Sequence, residues 1–572
     1  VHWFFKAQSM MPDMPDLQAA CERLAAGAAR HSARDAAARA ALAHATALAV
    51  PAAASRWVEA AVAIKAAAGS QAAVAEETAT GPIATLRLLL VTARRLGEIA
   101  RTGLPRPARL PRILHAAAGA AGPESFVGVE VLPERGFWDG VVFRDHRATV
   151  RCANPGGIEA FLRSWRVEAR ERPRQGGVAA VLGAGNVTGL AAADAIAQIF
   201  EHGRAVLLKL HPLHAPLAPV LEAALAPLVS ADLLAIVSGG ADLARVVVAT
   251  PGVSHVHLTG GQGAFDALVW GGSGPRAADA RPVLDKPITC ELGNVTPWIV
   301  VPGRYAPAQL RHQADCVAAS IANNTSFNCI ATKCVVTCRD WDQREEFLGL
   351  VQRRLDGLPP RPAWYPGAAA AWESVTGIAV PADGTLPWTF RSGVDAAREP
   401  RWLEREWFGP IAVEVPLDAG SLDAFCGRAA AFARTLPGSL AASVTAPVRL
   451  ATHDERRVTA LVEHLEYGVV ACNTWSALAY SFSSVPWGGY PGATLADPRS
   501  GIGRVHDPLL LPLVHNTILE APLASWPAPA WFPWHPRGAR LARGLVDTYA
   551  AIARGWTGAM RLAAMLPDVL AG

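Results

Sequence analysis

The sequence predicts an α/β protein with a doubly wound parallel sheet and a second α/β region beyond it. Two runs of alternating strand and helix patterns carry this, together with a 51% hydrophobic content over 572 residues, enough for two or three cores. In the first run, the apolar stretches at 178–182, 205–210, 233–237 and 255–258 read as buried strands. Residues 188–201, 216–228 and 241–249 read as the helices between them, and Glu291 closes a further strand. The second run places strands at 298–301 and 331–338 and helices at 306–323 and 342–355. Later strands are expected at 411–415, 441–444, 468–473 and 509–514, after a loop with a short helix over 358–387.

Ahead of these runs, the Ala-rich stretch 17–72 predicts several helices, Gly81-Pro82 a break, and 83–101 another helix. Residues 126–131 alternate as a strand does, while 140–143 and 148–152 flank a charged turn and suggest a hairpin. At the other end, a Pro/Trp segment from Trp526 to Pro536 leads into a helix expected over 539–566.

Composition narrows the function classes. A net charge of +4 with both signs interspersed offers no basic stripe, so no nucleic-acid partner is expected. Nine cysteines, an odd number, fit reduced thiols and a cytoplasmic location. No run of about twenty residues is apolar throughout and free of charge and proline, so no membrane span is expected. Residues 1–13 read as an extension outside the fold. Only five lysines occur, Lys6, Lys65, Lys209, Lys286 and Lys333, in a chain that otherwise writes Arg; such sites can need a compact ammonium.

Several short motifs carry candidate chemistry. Gly183-Ala-Gly-Asn186-Val-Thr-Gly189 joins a strand to a helix, but its spacing exceeds the dinucleotide fingerprint, and Lys209 ends the next strand where an acid would be expected. Read alone, Asn186 fits a helix cap as well as an oxyanion donor. Thr259-Gly260-Gly261 allows close backbone approach to a ring or a phosphate, or is an ordinary turn. Glu291, in Cys290-Glu-Leu-Gly293, stands at an apolar strand end, where desolvation raises a carboxylate toward the range of a base. Cys329 lies where a helix gives way to a strand; Cys329, Cys334 and Cys338 contain no C-x-x-C pair, so no metal site is expected. A thiol and a carboxylate at such places are the parts of a covalent catalyst.

The order Asn186, Lys209, Thr259-Gly260-Gly261, Glu291-Leu-Gly, Cys329, Glu406-Trp-Phe408-Gly-Pro410 and Pro486-Trp-Gly-Gly489 resembles the aldehyde dehydrogenase superfamily, as a divergent branch. That resemblance implies a Rossmann-type cofactor domain over 1–136 and 175–291, and an α/β catalytic domain over 292–485. It also implies a β oligomerisation segment over 137–174 and 505–520, hence a homodimer or homotetramer, with 521–572 as an additional tail. It implies Cys329 as nucleophile, Glu291 as base and Asn186 as oxyanion donor. Lys209 and Glu406 would hold the riboses of NAD or NADP, with Gly260, Gly261 and Phe408 beside the cofactor. The implied reaction is oxidation of an aldehyde to a carboxylic acid through a thiohemiacetal and a thioacyl-enzyme. A CoA-dependent acylating enzyme or a catalytically weakened binding protein are the alternatives.

The departures from the family pattern are local. Phe327-Asn328 precedes Cys329, and a Phe beside the thiol could narrow the substrate tunnel or reshape the approach of the base. Pro212 stands where an acid often excludes a 2′-phosphate, so His211 or His214 could favour NADP; Trp487 replaces a Phe. In the tail, Trp526, Trp531, Trp534 and Trp556 with interspersed Arg suggest either peripheral membrane contact or a helix packed on its own subunit.

Overall fold

In the computed structural model, residues 14–115, 125–272, 274, 279–447 and 450–572 are described. The expected extension at 1–13 and part of the loop at 271–275 lie outside them. Two sheets organise the chain. The first has five parallel strands in the order Leu234–Ser238, Ala205–Leu210, Val178–Leu182, Val253–Thr259, Ile288–Glu291. Strands Val178–Leu182 and Ala205–Leu210 are apolar almost throughout because helices cover both faces, as a parallel sheet requires. Helix Leu190–His202 crosses from the first strand to the second and stops at Gly203, whose φ of 67° is a left-handed cap.

The second sheet has ten strands. Its parallel part runs Val514–Glu520, Val469–Cys472, Ala441–Thr445, Thr296–Val300, Thr332–Cys338, Ile411–Leu417, Thr389–Arg391. Arg147–Ala153, Ser125–Leu132 and Arg112–His115 extend it by antiparallel pairing. The described strands of the 137–174 and 505–520 segments thus continue the sheet that carries Thr332–Cys338.

Several local expectations differ from the structure. Gly81-Pro82 does not break the chain: Ala79–Ile83 is a π-helical turn running into helix Ala84–Thr102. Pro82 has no N–H to place in an α-helical ladder, and the wider turn absorbs it. The hairpin pairs Ser125–Leu132 with Arg147–Ala153, while Asp139–Val142 is a helical turn between them. Residues 509–513 are a bend with left-handed Leu510 and Leu513, and the strand is Val514–Glu520; the apolar run reflects burial, not extension. Helix Ile158–Glu171 was not expected, while Gln262–Val269 begins where the resemblance implies a helix start after Gly260-Gly261. The tail helix is two, Gly538–Ala553 and Ala559–Val569, parted by left-handed Gly555 and Gly558.

Helix Ala36–Ile64 is long and apolar enough to cross a membrane by length and composition alone. Here it packs against Ala84–Thr102, and its Trp57 is fully buried. Nearby, Arg87 joins four segments. Its guanidinium donates to both Asp139 oxygens at 2.9 and 2.7 Å, to the Tyr549 hydroxyl at 2.8 Å and to the Phe482 carbonyl at 2.9 Å. The fork matches the carboxylate, and every partner is buried. Arg87→Leu should cost about 3–5 kcal/mol, because it strands a buried Asp139, and Tyr549→Phe about 1 kcal/mol. Chemical denaturation of the two variants checks that ranking.

Candidate functional site

The C-terminal edge of the five-stranded sheet faces the ten-stranded one across a cavity of about 890 Å³. Open α/β sheets bind ligands at this edge. The cavity is lined by Asn186, Lys209, Gly260, Gly261, Glu291 and Cys329, and by Glu406 and Phe408 opposite. All eight residues singled out in the sequence therefore meet around one space.

Cys329 is half-buried and precedes strand Thr332–Cys338. Its approach is unusual: Asn324, Thr325 and Ser326 are all left-handed, with φ of 53°, 56° and 62°. Non-glycine residues in this region cost of order 1–3 kcal/mol each and persist only where surroundings hold them. The Asn324 amide donates to the carbonyls of Asn186 at 3.0 Å and Phe327 at 2.8 Å, and its oxygen accepts from Lys65 Nζ at 2.7 Å. Lys65 also pairs with buried Glu77, whose other oxygen accepts from Thr188 at 3.1 Å. From the other side, Lys333 Nζ donates to the Ser326 carbonyl at 3.1 Å, its hydroxyl at 2.8 Å and the Gly409 carbonyl at 2.8 Å. Lys65 and Lys333 were not assigned to the site from sequence; their signal was the scarcity of lysine.

The thiol donates to Glu291 Oε1 at 3.3 Å, and Trp487 Nε1 donates to Oε2 at 2.8 Å. Trp487, noted in the sequence only as a departure, is the residue that orients the carboxylate. Burial, reinforced by Asp194, pushes Glu291 up to about 7, while the bonds from Cys329 and Trp487 oppose the rise. Burial and the two carboxylates Glu291 and Glu406 hold the Cys329 thiol well above its usual range, so the proton stays on sulfur until a base takes it.

Asn186 donates to the Phe327 carbonyl at 3.2 Å, which uses one of its two amide hydrogens and leaves the other for a ligand. Phe327 does not narrow the approach to the thiol. It is fully buried, with its ring 5.1 Å from Trp364, 5.6 Å from Tyr365 and 5.7 Å from Phe408. Of the two histidines, His211 lines the cavity, but burial pushes it down to about 4 and leaves it neutral. His214 is buried and is not among the cavity-lining residues.

The other end of the cavity suits a polyhydroxylated anion. Lys209 reaches it from strand Ala205–Leu210 and makes no side-chain hydrogen bond among the described residues. Glu406 Oε1 is buried without a partner among the described residues, an acceptor open to a donor. Gly293 makes room for that carboxylate, since a Cβ there would stand 2.0 Å from Glu406 Oε2. Gly261 caps helix Gln262–Val269, and a Cβ on it would meet nothing within 4 Å. The helix start faces the cavity with its free N–H groups.

No family model and no curated protein matches the sequence. Solved structures do resemble it, and they are aldehyde dehydrogenases. An NAD-dependent enzyme from Sinorhizobium meliloti is 16% identical, with 89% of this chain and 86% of that one covered at a TM-score of 0.56. A putative one from Burkholderia cenocepacia is 19% identical, covering 88% and 92% at 0.57. One from Mycobacterium tuberculosis, in complex with NAD+, is 17% identical, covering 89% and 90% at 0.54. The chain thus has the aldehyde dehydrogenase fold, as the sequence motifs led one to expect.

The Cys329–Glu291 pair has a titration signature. Alkylation of Cys329 should accelerate as pH rises through about 7, where Glu291 loses its proton and can accept the thiol's. Trp487→Phe removes a bond that favours the charged carboxylate, so the midpoint should move up by about one pH unit. Glu291→Gln should abolish the rise; alkylation rates measured across pH 5–9 (roughly the range that brackets such a base) read all three.

Proposed function

We propose that the protein is an NAD(P)-dependent aldehyde dehydrogenase that oxidises an aldehyde to a carboxylic acid. The observation that carries this reading is the Cys329–Glu291 contact at 3.3 Å inside a cavity whose far end presents Lys209 and the unpartnered Glu406 oxygen. Glu291 takes the thiol proton as Cys329 Sγ attacks the aldehyde carbon. The resulting oxyanion lies within reach of the free Asn186 amide hydrogen and the Cys329 N–H. A bound nicotinamide supplies the hydride acceptor; Lys209 and Glu406 would hold its riboses, and the start of helix Gln262–Val269 its pyrophosphate. Once it has released the thiol's proton, Glu291, poised near neutrality, takes a second proton from the water that cleaves the thioester, and the departing Cys329 thiolate is reprotonated for the next turnover.

We further infer a homodimer or homotetramer formed through the 137–174 and 505–520 segments; the sheet they enter ends at Arg112–His115, outside those segments, whose outer edge is unpaired among the described residues and can take a partner strand. Nine unpaired cysteines support a reducing, cytoplasmic setting. For the tail, exposed Trp556, Met560, Leu566 and Leu570 beside exposed Arg554 and Arg561 favour peripheral contact with anionic lipid. Trp531 and Trp534 pack on the core instead, so they take no part in it.

Purified protein with straight-chain and aromatic aldehydes, NAD or NADP, and with or without CoA, should give nicotinamide reduction without CoA. Cys329→Ala should lose it while still binding the cofactor. A strict CoA requirement would move the protein to the acylating class, and cofactor binding with no turnover on any aldehyde would favour a binding role. For the tail, the intact protein should pellet with vesicles rich in phosphatidylserine, and removal of the residues after Leu523 should release it; an intact protein that stays in the supernatant refutes the contact.

A further inference from the structure

One face of the strands behind Glu291 is polar where a parallel sheet should be apolar. Strand Val253–Thr259 alternates as His255-Val-His257-Leu-Thr259, and Ile288–Glu291 as Thr289-Cys-Glu291. The two strands pair in register, His257 opposite Thr289 and Thr259 opposite Glu291. Side chains two apart share a face, so these five form a double file starting at Glu291.

The file is hydrogen-bonded. Thr289 Oγ1 lies 2.9 Å from His257 Nδ1 and 3.1 Å from His255 Nε2. On the other side of the ring, His257 Nε2 lies 3.6 Å from Asp194 Oδ1, and Thr259 Oγ1 donates to Asp194 Oδ2 at 2.9 Å. Asp194 belongs to helix Leu190–His202, which covers this face, and its charge raises Glu291. Among the described residues, Asp194 Oδ1 and the Tyr480 hydroxyl are both buried without a hydrogen bond, and Tyr480 feels Asp194, Glu291 and Cys329 together. Buried polar atoms of this kind call for a water. At the far end the file nears the surface: Thr289 is half-buried and His255 is 6% exposed. His202 and Arg204 flank His255, and His506 faces Asp194 from the other side.

We propose that this file is a proton relay from Glu291 to the opposite edge of the sheet. It rests on the dehydrogenase reading, because each turnover loads Glu291 with a proton that must leave before it acts again. Cofactor and acyl group would fill the cavity, so the way out lies behind the strand. A proton leaving Glu291 passes by a water or the Tyr480 hydroxyl to Asp194, and from there to His257 Nε2. The Nδ1 proton of His257 moves to Thr289, the Thr289 proton to His255 Nε2, and the His255 Nδ1 proton to solvent. One proton enters, one leaves, and no group is oxidised or reduced.

The test is stopped-flow on the full-length holoenzyme with aldehyde, following nicotinamide absorbance and a pH dye together. His257→Gln keeps hydrogen-bonding capacity without a second titrating nitrogen; Thr289→Val, a second variant, cuts the file at its middle. Both should reduce nicotinamide in the first turnover at the wild-type rate but release the proton about tenfold more slowly, with a raised solvent isotope effect on release. Proton release in step with wild type in either folded variant overturns the relay. Absence of any reduction in the wild-type protein would instead overturn the dehydrogenase reading itself, and the relay with it.

Discussion

The site depends on holding three consecutive left-handed residues, Asn324, Thr325 and Ser326, just ahead of Cys329. No L-residue prefers this backbone, so the conformation has to be bonded from outside. Two buried lysines do it from opposite sides: Lys65 from the N-terminal helices and Lys333 from the strand after the thiol. The first of them brings Glu77 and Thr188 with it, so the helical region and the five-stranded sheet both share in placing Cys329. A compact ammonium with three donors fits such crowded carbonyl clusters better than a planar guanidinium, which accounts for lysine at these places in an Arg-rich chain.

A second constraint is electrostatic. Glu291 and Glu406 are carboxylates each pushed up first by burial, Glu291 further by Asp194 and Glu406 further by Glu291. They differ in what faces them. Glu291 accepts from Trp487 and from the thiol, which aims its carboxylate at sulfur. Glu406 has Lys333 behind it and an unused oxygen in front, which defines an acceptor for a ligand hydroxyl. Two similar side chains thus take different roles because their neighbours differ.

The N-terminal and C-terminal regions are part of this framework. Arg87, on helix Ala84–Thr102, ties Asp139, Phe482 and Tyr549 together, and the tail helix Gly538–Ala553 packs on helices Ala36–Ile64, which Lys65 caps, and Gln71–Thr78, which carries Glu77. Apolar burial supplies most of the stability, and these polar bonds select one arrangement of the packed parts.

The sequence by itself determined the strand and helix alternation of both α/β regions, since the period of apolar residues depends only on local geometry. It also made the candidate residues legible through their order: Cys329, Glu291 and Asn186, then Lys209, Gly260, Gly261, Glu406 and Phe408. Other features had no local signal. That Phe327 turns into an aromatic cluster, that Trp487 grips Glu291, and that the run at 509–513 bends before strand Val514–Glu520 follow from contacts between residues far apart in the chain. The alternating His255, His257 and Thr259 were visible as letters, but only register against Thr289 and Glu291 made them a file. Period and composition are properties of a segment; side-chain direction and hydrogen-bond partner are properties of the pair, and only the folded chain brings the pair together.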